Sequence, residues 1–431
     1  MDTDEGFNPE EKKLWQAFHN LPIPPDPPLT FDVTPWAKKV RRPHLVKTFI
    51  VLAVLIIGGG GWLVLRTLSP HHHLSASYLA QASLTQIHMN TVTTGWAIGN
   101  NFTSIYHTTS GGQYWSKVYT LASAGQIPYA IAFPSAHNAE VIMFNTEGNT
   151  VSIGQTQDQG KQWQTTTLPL HPTGLSGGSL VVASGRQYLG IGVTFGQSRT
   201  VDLFDHRNGS RSWNLVQYAP DLYNLASLSL GPQGSLWMIA QPVAGKPFAV
   251  FQSHNGGKNW IAVHLPPLPV KTSALMPLEP KFFGNSGILP VMVNVPNIPS
   301  AFSNAQVWLY RTQDGGQHWS PWTHYQSMLG NLQAISLNHI RASVTTGPLL
   351  LNNQKTKAGF SLITFHHGHW VSLPLPSGTT HRQQQDQLLQ IDFADAYTGW
   401  MLLDNGRGNA QLWITHDGGR KWHELHPKIE S

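Results

Sequence analysis

The pattern of apolar and polar positions divides the chain into one long apolar run near the N-terminus and many short runs after it. The long run, TFIVLAVLIIGGGGWLVL, covers residues 48–65 and carries no charged side chain. A helix needs about 20 apolar residues to cross the hydrocarbon core of a bilayer. The short runs, such as VIMFN and VWLYRT, are rich in β-branched and aromatic residues, which is typical of β-strands. We therefore predict a transmembrane signal-anchor helix over 48–68, followed by an all-β part.

The basic residues around the long apolar run predict its orientation. Five of them lie between positions 38 and 47, whereas one follows the run before position 117. Because basic residues stay on the cytoplasmic side of a membrane helix, we predict a Pro-rich cytoplasmic tail over 1–47, a stalk over 69–79 and an extracytoplasmic part over 80–431. A buried core helix and a cleaved signal peptide are the alternatives. Four consecutive Gly disfavour the first, and the long preceding segment disfavours the second.

An eight-residue motif recurs along the part after the apolar run. Five copies follow the pattern Ser/Thr-x-Asp/Asn-x-Gly-x-x-Trp, with Ser replacing the acid in the first: TTSGGQYW (108–115), TQDQGKQW (156–163), SHNGGKNW (253–260), TQDGGQHW (312–319) and THDGGRKW (415–422). Their spacing predicts two weaker copies, which are HRNGSRSW (206–213) and FHHGHW (365–370).

Seven units of about 50 residues predict a seven-bladed β-propeller, in which each unit forms one four-stranded blade. Short β-rich runs surround each motif, so the motif is expected in the turn before the last strand of its blade. Six and eight blades are the alternatives, because the sixth copy of the motif is the most degenerate.

Each motif position has a physical reason. Asp or Asn accepts hydrogen bonds from backbone N–H groups of the turn, Gly adopts a positive φ without steric cost, and the Trp ring packs beneath the turn. Gly-Trp pairs in an earlier strand of the first and last units, and a matching Trp in the fourth, complete the pattern. We assign a structural role to the motif residues Thr108, Ser110, Gly112, Trp115, Thr156, Asp158, Gly160, Trp163, Asn208, Trp213, Ser253, Asn255, Gly257, Trp260, Thr312, Asp314, Gly316, Trp319, Gly368, Trp370, Thr415, Asp417, Gly419 and Trp422, and to the strand residues Gly95, Trp96, Trp237, Gly399 and Trp400.

The motif resembles the Asp-box, or BNR, repeat. Together with the pattern Ile-x-Phe-x-x-x-x-x-Gly-Trp at 391–400, it is similar to the propellers of photosystem II assembly and stability factor-like proteins of bacteria. The resemblance spans residues 80–431 and implies a propeller that helps to assemble or stabilise a membrane complex. Such factors bind partners through an Arg-rich face. This chain has no dense Arg patch, which departs from the family pattern.

The composition argues against an enzyme. Charged residues make up 11% of the chain and there is no Cys, which excludes disulfides, thiolate zinc sites and Cys catalysis. Sialidases also carry Asp-boxes, and most glycosidases need two carboxylates beside the scissile bond. Several of the few acidic residues already belong to the repeats, and the Arg-Ile-Pro strand of a sialidase is missing. We predict no catalytic residues and no cofactor; Glu279 and Asp404 are the first carboxylates with which to test this.

Histidine is abundant, with 22 residues. Clusters occur in the stalk, at His71, His72 and His73, and in the sixth motif, at His366, His367 and His369. Clustered imidazoles suit transition metals, but consecutive residues point to alternate sides. We therefore interpret both clusters as exposed segments and predict no metal site. The low charge and the many histidines, which ionise below about pH 6, also suggest the hypothesis of an acidic habitat.

These observations predict a single-pass bacterial membrane protein that displays a non-catalytic propeller outside the cell membrane. The propeller face would bind a protein, peptide or glycan as an assembly scaffold, and 48–68 would contact the lipid bilayer. A nucleic-acid partner is not expected, because the net charge of +5 is spread along the chain. The first alternative is a sensor, since LWQAFHNLPIPPDPP in the tail resembles a segment of bacterial anti-sigma factors. The second is a sialidase-like glycosidase.

Overall fold

The computed structural model describes residues 83–430, apart from gaps at 100–101, 122–125, 171, 184–185, 196–197, 208–211, 220–221, 223, 243–245, 273, 295–304, 347–358, 367, 377–386 and 405–409. The predicted tail, membrane helix and stalk, 1–47, 48–68 and 69–79, lie outside the described residues. Within the described part, no helix has the length and apolar character needed to cross a bilayer. All the described residues belong to one compact unit, Ala53–Ser431.

The described residues form seven antiparallel sheets, which are the blades. Blade 1 consists of β1 (Leu84–Met89), β2 (Gly95–Gly99), β3 (Ser104–Thr108) and β4 (Tyr114–Thr120). Blade 2 consists of β5 (Gln126–Ala132), β6 (Ala139–Asn145), β7 (Thr150–Thr156) and β8 (Gln164–Thr167). Blade 3 consists of β9 (Gly174–Ala183), β10 (Arg186–Phe195), β11 (Ser198–Arg207) and β12 (Asn214–Ala219).

The remaining blades follow the same strand order. Blade 4 consists of β13 (Asn224–Leu230), β14 (Leu236–Gln241), β15 (Ala249–Ser253) and β16 (Ile261–Ala262). Blade 5 has a split first strand and consists of β17 (Ala274–Pro277), β18 (Lys281–Phe283), β19 (Ser286–Asn294), β20 (Ala305–Thr312) and β21 (Ser320–Tyr325). Blade 6 consists of β22 (Met328–Ser336), β23 (His339–Thr346), β24 (Gly359–His366) and β25 (His369–Leu373). Blade 7 consists of β26 (Gln387–Phe393), β27 (Gly399–Asp404), β28 (Ala410–Thr415) and β29 (His423–Leu425), and β30 (Lys428–Ile429) follows it.

This architecture confirms the predicted all-β, seven-bladed propeller. Each blade is a continuous stretch of sequence, and the motif copies join the third strand of a blade to its fourth. In such an antiparallel meander, the turn between the first two strands lies at the same end of the blade as the motif. We call this the motif end.

Seven clusters of buried apolar side chains hold the blades together, and each cluster lies between two neighbouring blades. Ile142 of blade 2, for example, packs with Leu189 and Ile191 of blade 3. The ring is closed by a cluster that joins Ile87 of blade 1 to Leu402 of blade 7. A sheet with two buried faces requires apolar residues at successive positions, which explains the nearly continuous apolar runs in the second strands.

A side chain at the start of the second strand of a blade reaches beneath the motif end of the next blade. Trp400 of blade 7 donates its indole N–H to Gly111 O in the motif turn of blade 1, at 3.0 Å. Trp237 of blade 4 packs edge-on against Trp319 of blade 5, with ring centroids 5.8 Å apart. A Cβ on Gly316 would lie 2.4 Å from the Trp237 ring. Trp237 and Trp400 occupy the same register position: each directly follows the residue that pairs with the first motif residue of its own blade. We call this position in the second strand the wedge position.

The strand β30 crosses from the last blade to the first. It pairs in parallel with β4, the outermost strand of blade 1. Lys428 N donates to Gln113 O at 2.9 Å, and Glu430 N donates to Trp115 O at 3.0 Å. The outer edge of blade 1 is therefore covered by β30, and among the described strands each four-stranded blade is built from its own stretch of sequence.

Substitution of two adjacent glycines should measure how tightly the wedge fills its site. Gly316→Ala places a methyl group against Trp237, and we expect it to lower the free energy of unfolding by about 3 kcal/mol or more. Gly315 also has a positive φ, of 76°, but a Cβ there would lie 3.6 Å from its nearest neighbour. Gly315→Ala should therefore cost only about 1–2 kcal/mol of backbone strain. Urea unfolding checks both values, and equal losses would contradict the wedge contact.

Removal of residues 426–431 should destabilise the propeller by about 1–3 kcal/mol, because two backbone hydrogen bonds and the packing of Ile429 are lost. Thermal unfolding of the truncated and complete chains measures the difference. The exposed Glu430 allows a milder control, since Glu430→Ala keeps the backbone pairing and should change stability much less. A truncated chain as stable as the complete one would show that β30 does not contribute to closure.

Candidate functional site

The motif turns are held by local hydrogen bonds. In blade 5, Thr312 Oγ1 donates to Asp314 Oδ1 at 2.8 Å and accepts from Gly316 N at 2.9 Å. His318 N donates to Asp314 Oδ1 at 3.0 Å, and this bond is the main reason that the pKa of Asp314 is lowered. Blades 2, 4 and 7 repeat the first two bonds with their own residues.

The predicted motif residues are therefore spread around the ring, one turn to a blade, and do not meet in one site. Trp115 Nε1 donates to Gly112 O at 3.0 Å, and Trp163 Nε1 donates to Gly160 O at 3.2 Å. Gly95 and Gly399 begin β2 and β27. The other residues of the complete copies lie in the corresponding turns: Thr108, Ser110, Thr156, Asp158, Ser253, Asn255, Gly257, Trp260, Trp319, Thr415, Asp417, Gly419 and Trp422.

The two weak copies differ from the rest. In blade 3, Asn208 lies outside the described residues, whereas Trp213 is buried. In blade 6, β24 and β25 are joined by only two residues, 367 and 368, so Gly368 and Trp370 of the predicted copy at 365–370 belong to a short hairpin and not to a turn like those of the complete copies. The physical reason is that blade 6 lacks the Thr and Asp side chains that hold the longer turn together.

Four wedge positions carry residues that the sequence motif did not identify. Strand register places Glu140 of blade 2, Tyr188 of blade 3, Ile288 of blade 5 and Arg341 of blade 6 where the other blades have Trp. Arg341 Nη2 donates to Ala396 O of blade 7, and its guanidinium carbon lies 4.0 Å from the centroid of the Phe393 ring. Sequence spacing alone does not mark these positions. They are found by locating the residue that pairs with the first motif residue of the same blade and taking the next residue along the second strand.

Glu140 is a buried carboxyl group at the interface between blades 2 and 3. Gln155 Nε2 donates to Glu140 Oε1 at 3.2 Å, and Gln187 Nε2 of blade 3 donates to the same oxygen. The second oxygen, Oε2, has no hydrogen-bond partner among the described residues. Burial raises the pKa of Glu140 to about 7. The neutral carboxyl therefore acts as a structural link between two blades.

Asp392 plays a similar linking part near the centre of the ring. It lies on β26, the innermost strand of blade 7, and is 4% exposed. Gln333 Nε2 of blade 6 donates to Asp392 Oδ1 at 2.9 Å, and Met89 N of blade 1 donates to Oδ2. Burial raises the pKa of Asp392. One carboxyl group thus connects three successive blades.

Glu279 and Asp404, the two carboxylates selected from the sequence, lie in different blades, and a further buried carboxyl group, Asp202, lies in a third. Burial raises the pKa of Asp202 on β11 to about 6, and its Oδ1 accepts from Thr200 Oγ1 at 3.2 Å. Glu279 of blade 5 forms an ion pair with Lys281 at 2.7 Å. Asp404 ends β27 in blade 7. Asp202 is thus paired with a hydroxyl group and Glu279 with an ammonium group.

The described part contains a small apolar cavity and no group of three side chains arranged to hold a metal ion. This cavity of about 10 Å³ between blades 3 and 4 is lined by apolar side chains, including Leu203, Leu222 and Met238. Such a lining provides no acid or base. Within the described ranges, no three His, Asp or Glu side chains are already grouped so that they could hold a metal ion. His71, His72, His73 and His367 lie outside the described residues.

Exposed apolar side chains lie on the outermost strands of several blades. Leu215 on β12 is 51% exposed, Ile261 on β16 is 66% exposed and Val371 on β25 is 52% exposed. Each of these strands ends the order of its sheet, so one side of its backbone faces no further strand in the described structure. Such an edge is a template for another extended segment. We call β12 and β25, the two longer ones, the edge strands.

The fold defines the chain as a seven-bladed β-propeller with sequence-contiguous blades. No family model and no curated protein matches the sequence. A solved prolyl endopeptidase structure is similar at 10% identity and a TM-score of 0.52, over 80% of this chain and 49% of that one. YCF48 bound to a D1 peptide is similar at 15% identity and a TM-score of 0.44, over 70% and 81% of the two chains. The propeller domain of the Trilobed protease from Pyrococcus furiosus has 9% identity and a TM-score of 0.43, over 68% and 82%.

These comparisons extend to the fold alone, since all the identities are low. The match to the prolyl endopeptidase covers about half of that chain. Proteases and a peptide complex both occur among the similar structures, and a propeller supports many unrelated functions. The function must therefore be argued from the surfaces and side chains of this chain.

Glu140→Gln should remove one pH dependence from the stability of the propeller. The pKa of Glu140 in the fold, about 7, lies above the ordinary value of 4.5. The neutral carboxyl thus contributes its full stability below the unfolded pKa, and this contribution is lost as the pH rises through about 7. The free energy of unfolding of the Gln variant minus that of the natural chain should rise by about 3 kcal/mol between pH 4 and pH 8. Denaturant titrations at several pH values measure it.

The exposed Glu147 provides the matched control for this experiment. Glu147→Gln removes the same charge on a turn of the same blade, where no desolvation is involved. Its stability difference from the natural chain should stay nearly constant between pH 4 and pH 8. If the Glu140→Gln difference were equally constant, the buried neutral carboxyl would be excluded.

Proposed function

We propose that this chain is a membrane-anchored, non-catalytic propeller of the Asp-box class that acts outside the cell membrane as an assembly scaffold. In this proposal it binds extended segments of partner proteins along the edge strands. The apolar run at 48–65 would anchor the propeller to the bilayer. The basic residues before that run support a cytoplasmic tail and an external propeller.

The parallel pairing of β30 with β4 is the observation that carries the binding proposal. It demonstrates, within this molecule, that an outer blade edge accepts a short extended segment through backbone hydrogen bonds. The edge strands β12 and β25 offer the same kind of edge, and their exposed Leu215 and Val371 provide apolar contacts. In strand addition, backbone bonds supply affinity, whereas side chains supply selectivity.

The positions of the buried carboxyl groups support the non-catalytic part of the proposal. Glu140 and Asp392 are engaged in links between blades, and Asp314 and Asp417 hold motif turns. A chain with so few acidic residues has few left for a carboxylate pair. The local bonds of the motif turns also agree with the Asp-box assignment.

Photo-crosslinking in native membranes tests the edge strands as the binding site. A photoreactive phenylalanine analogue at Leu215 or Val371 should form adducts with one defined partner protein. The same analogue at Thr165, an exposed position on β8, the polar outermost strand of blade 2, is the matched control and should not. Leu215→Lys or Val371→Lys should abolish the adduct from an analogue placed at a neighbouring edge position, because the ammonium group would have to lose its hydration in an apolar contact.

Two outcomes would contradict the proposal. Adducts that form equally at Thr165 would show that the edge strands are not selective. Hydrolysis of a chromogenic glycoside that is lost in Glu279→Gln or Asp404→Asn would show an enzyme. Deletion of residues 2–35 separates a scaffold from a sensor, since a scaffold should keep its partner and its cellular phenotype without the tail.

A further inference from the structure

The motif turn of blade 4 places an asparagine directly before a glycine. Among the five complete copies of the motif, this one alone has Asn at the acidic position, as Asn255, and Gly256 follows it. In an Asn-Gly pair the backbone nitrogen of the glycine can approach the side-chain amide carbon of the asparagine, because the glycine has no Cβ in the way. Asn255 is exposed, and Gly256 has a positive φ of 72°. The two groups that would react are thus neighbours on a turn that water can reach.

The backbone N–H of Gly256 lacks a hydrogen bond that the other complete copies make at this position. In blade 5, Gly315 N donates to Asn285 O at 2.7 Å, and blades 1, 2 and 7 repeat this bond with their own residues. In blade 4 the first two strands are joined by a short 3₁₀ turn, Pro232–Gly234, and Gly256 N has no hydrogen-bond partner among the described residues. Its proton can therefore be removed without the loss of a hydrogen bond.

The side-chain oxygen of Asn255 accepts two hydrogen bonds that make its amide carbon more reactive. Ser253 Oγ donates to Asn255 Oδ1 at 3.0 Å, and Asn259 N donates to it at 2.9 Å. Donors on a carbonyl oxygen stabilise the negative charge that the oxygen gains when a nucleophile adds to the carbon. In blades 2, 5 and 7 the corresponding donors contact an Asp carboxylate, which has no amide group to lose.

A cation of blade 3 lies beside the backbone of Gly256. A Cβ on Gly256 would be 3.5 Å from Arg186 Nη1 and 3.3 Å from Tyr188 Oη. The guanidinium is held in place, because Arg186 Nη1 donates to Tyr188 Oη at 3.2 Å and Nε pairs with Asp205 Oδ2 at 3.3 Å. A positive charge this close favours a neighbouring group in its negatively charged form. Arg186 therefore assists the loss of the proton from Gly256 N.

We propose that Asn255 is a self-modification site, at which the side-chain amide is converted to a carboxylate. Hydroxide removes the proton of Gly256 N, and this nitrogen forms a bond to Asn255 Cγ. The bond from Cγ to Nδ2 breaks, and Nδ2 takes a proton from water and leaves as ammonia. One water molecule then opens the resulting five-membered succinimide ring.

The two ways of opening the ring have different effects on the turn. Cleavage between the nitrogen and Cγ gives aspartate at position 255, which is the residue type of the corresponding turns in blades 2, 5 and 7. Cleavage on the other side gives isoaspartate, which adds a methylene group to the backbone and shortens the side chain that reaches Asn259 N. Both products add one negative charge to the motif end of blade 4, and the second also loosens the turn.

Peptide mapping by mass spectrometry on the natural full-length chain tests this reaction without any variant. The chain has three Asn-Gly pairs, at 208–209, 255–256 and 405–406, and in urea all three should react at similar rates near pH 7.5. In the native chain, Asn255 should react about tenfold faster than in urea, because the two donors and Arg186 are then in place. Hydroxylamine, which cleaves succinimides, should cut the native chain after position 255. A native rate equal to or below the rate in urea would overturn the proposal.

Ser253→Ala distinguishes a turn that activates the amide from one that only restrains it. The substitution removes a donor to Asn255 Oδ1 and also loosens the turn, because Ser253 Oγ accepts from Gly257 N at 2.9 Å. We expect the reaction to slow by about threefold or more, and Arg186→Gln should slow it as well. Thr312→Ala, the same change in the turn of blade 5, is the matched control and should leave the rate at Asn255 unchanged. A faster or unchanged reaction in Ser253→Ala would overturn the proposal.

Discussion

The rest of the propeller depends on the insertion of one side chain at the start of a second strand beneath the motif end of the following blade. This contact couples the blades pairwise, because a wedge such as Trp237 is buried only when the turn around Gly316 is formed. Because Gly316 has no side chain, the indole ring can occupy the space beside it. The hydrogen bonds of the motif Thr and Asp side chains hold the turn in the conformation that covers the ring. Each blade therefore completes the core of its neighbour, as in other repeat proteins whose units cannot bury their apolar faces alone.

The features that could be predicted from the sequence are those repeated at a constant spacing. The motif residues recur about every 50 positions, so they predicted the blade count and the place of the turn. Glu140 and Arg341 could not be found in this way, because a wedge position is defined by strand register and tolerates chemically different side chains. The contacts of β30 also escape a periodic pattern, since they occur once and join strands that are distant in sequence.

The acidic side chains of the propeller fall into two groups, buried carboxyl groups at blade interfaces and aspartates in the motif turns. A buried carboxylate is costly unless it is paired or neutral, and Glu140 meets this condition by a raised pKa and two amide donors. Carboxyl groups of this kind stabilise the fold most in acid, whereas the motif aspartates with lowered pKa, such as Asp314, favour higher pH. The pH dependence of the whole propeller is thus a balance between blade interfaces and surface turns. The acidic-habitat hypothesis requires that the propeller be more stable at low pH, which holds only if the carboxyl groups at the blade interfaces contribute more than the motif aspartates.

The covering of β4 by β30 has a consequence for the order in which the molecule is made. Because every blade is contiguous in sequence, each can form as soon as its own residues are available. The bond between Trp400 and Gly111, however, joins residues 289 positions apart, and β30 follows all seven blades in the chain. During synthesis, blade 1 must therefore wait with a bare outer edge, which is open to pairing with any other extended segment. Once β30 has been synthesised and pairs with β4, this edge is covered. The strand that links the last blade to the first therefore also protects blade 1 from pairing with other segments.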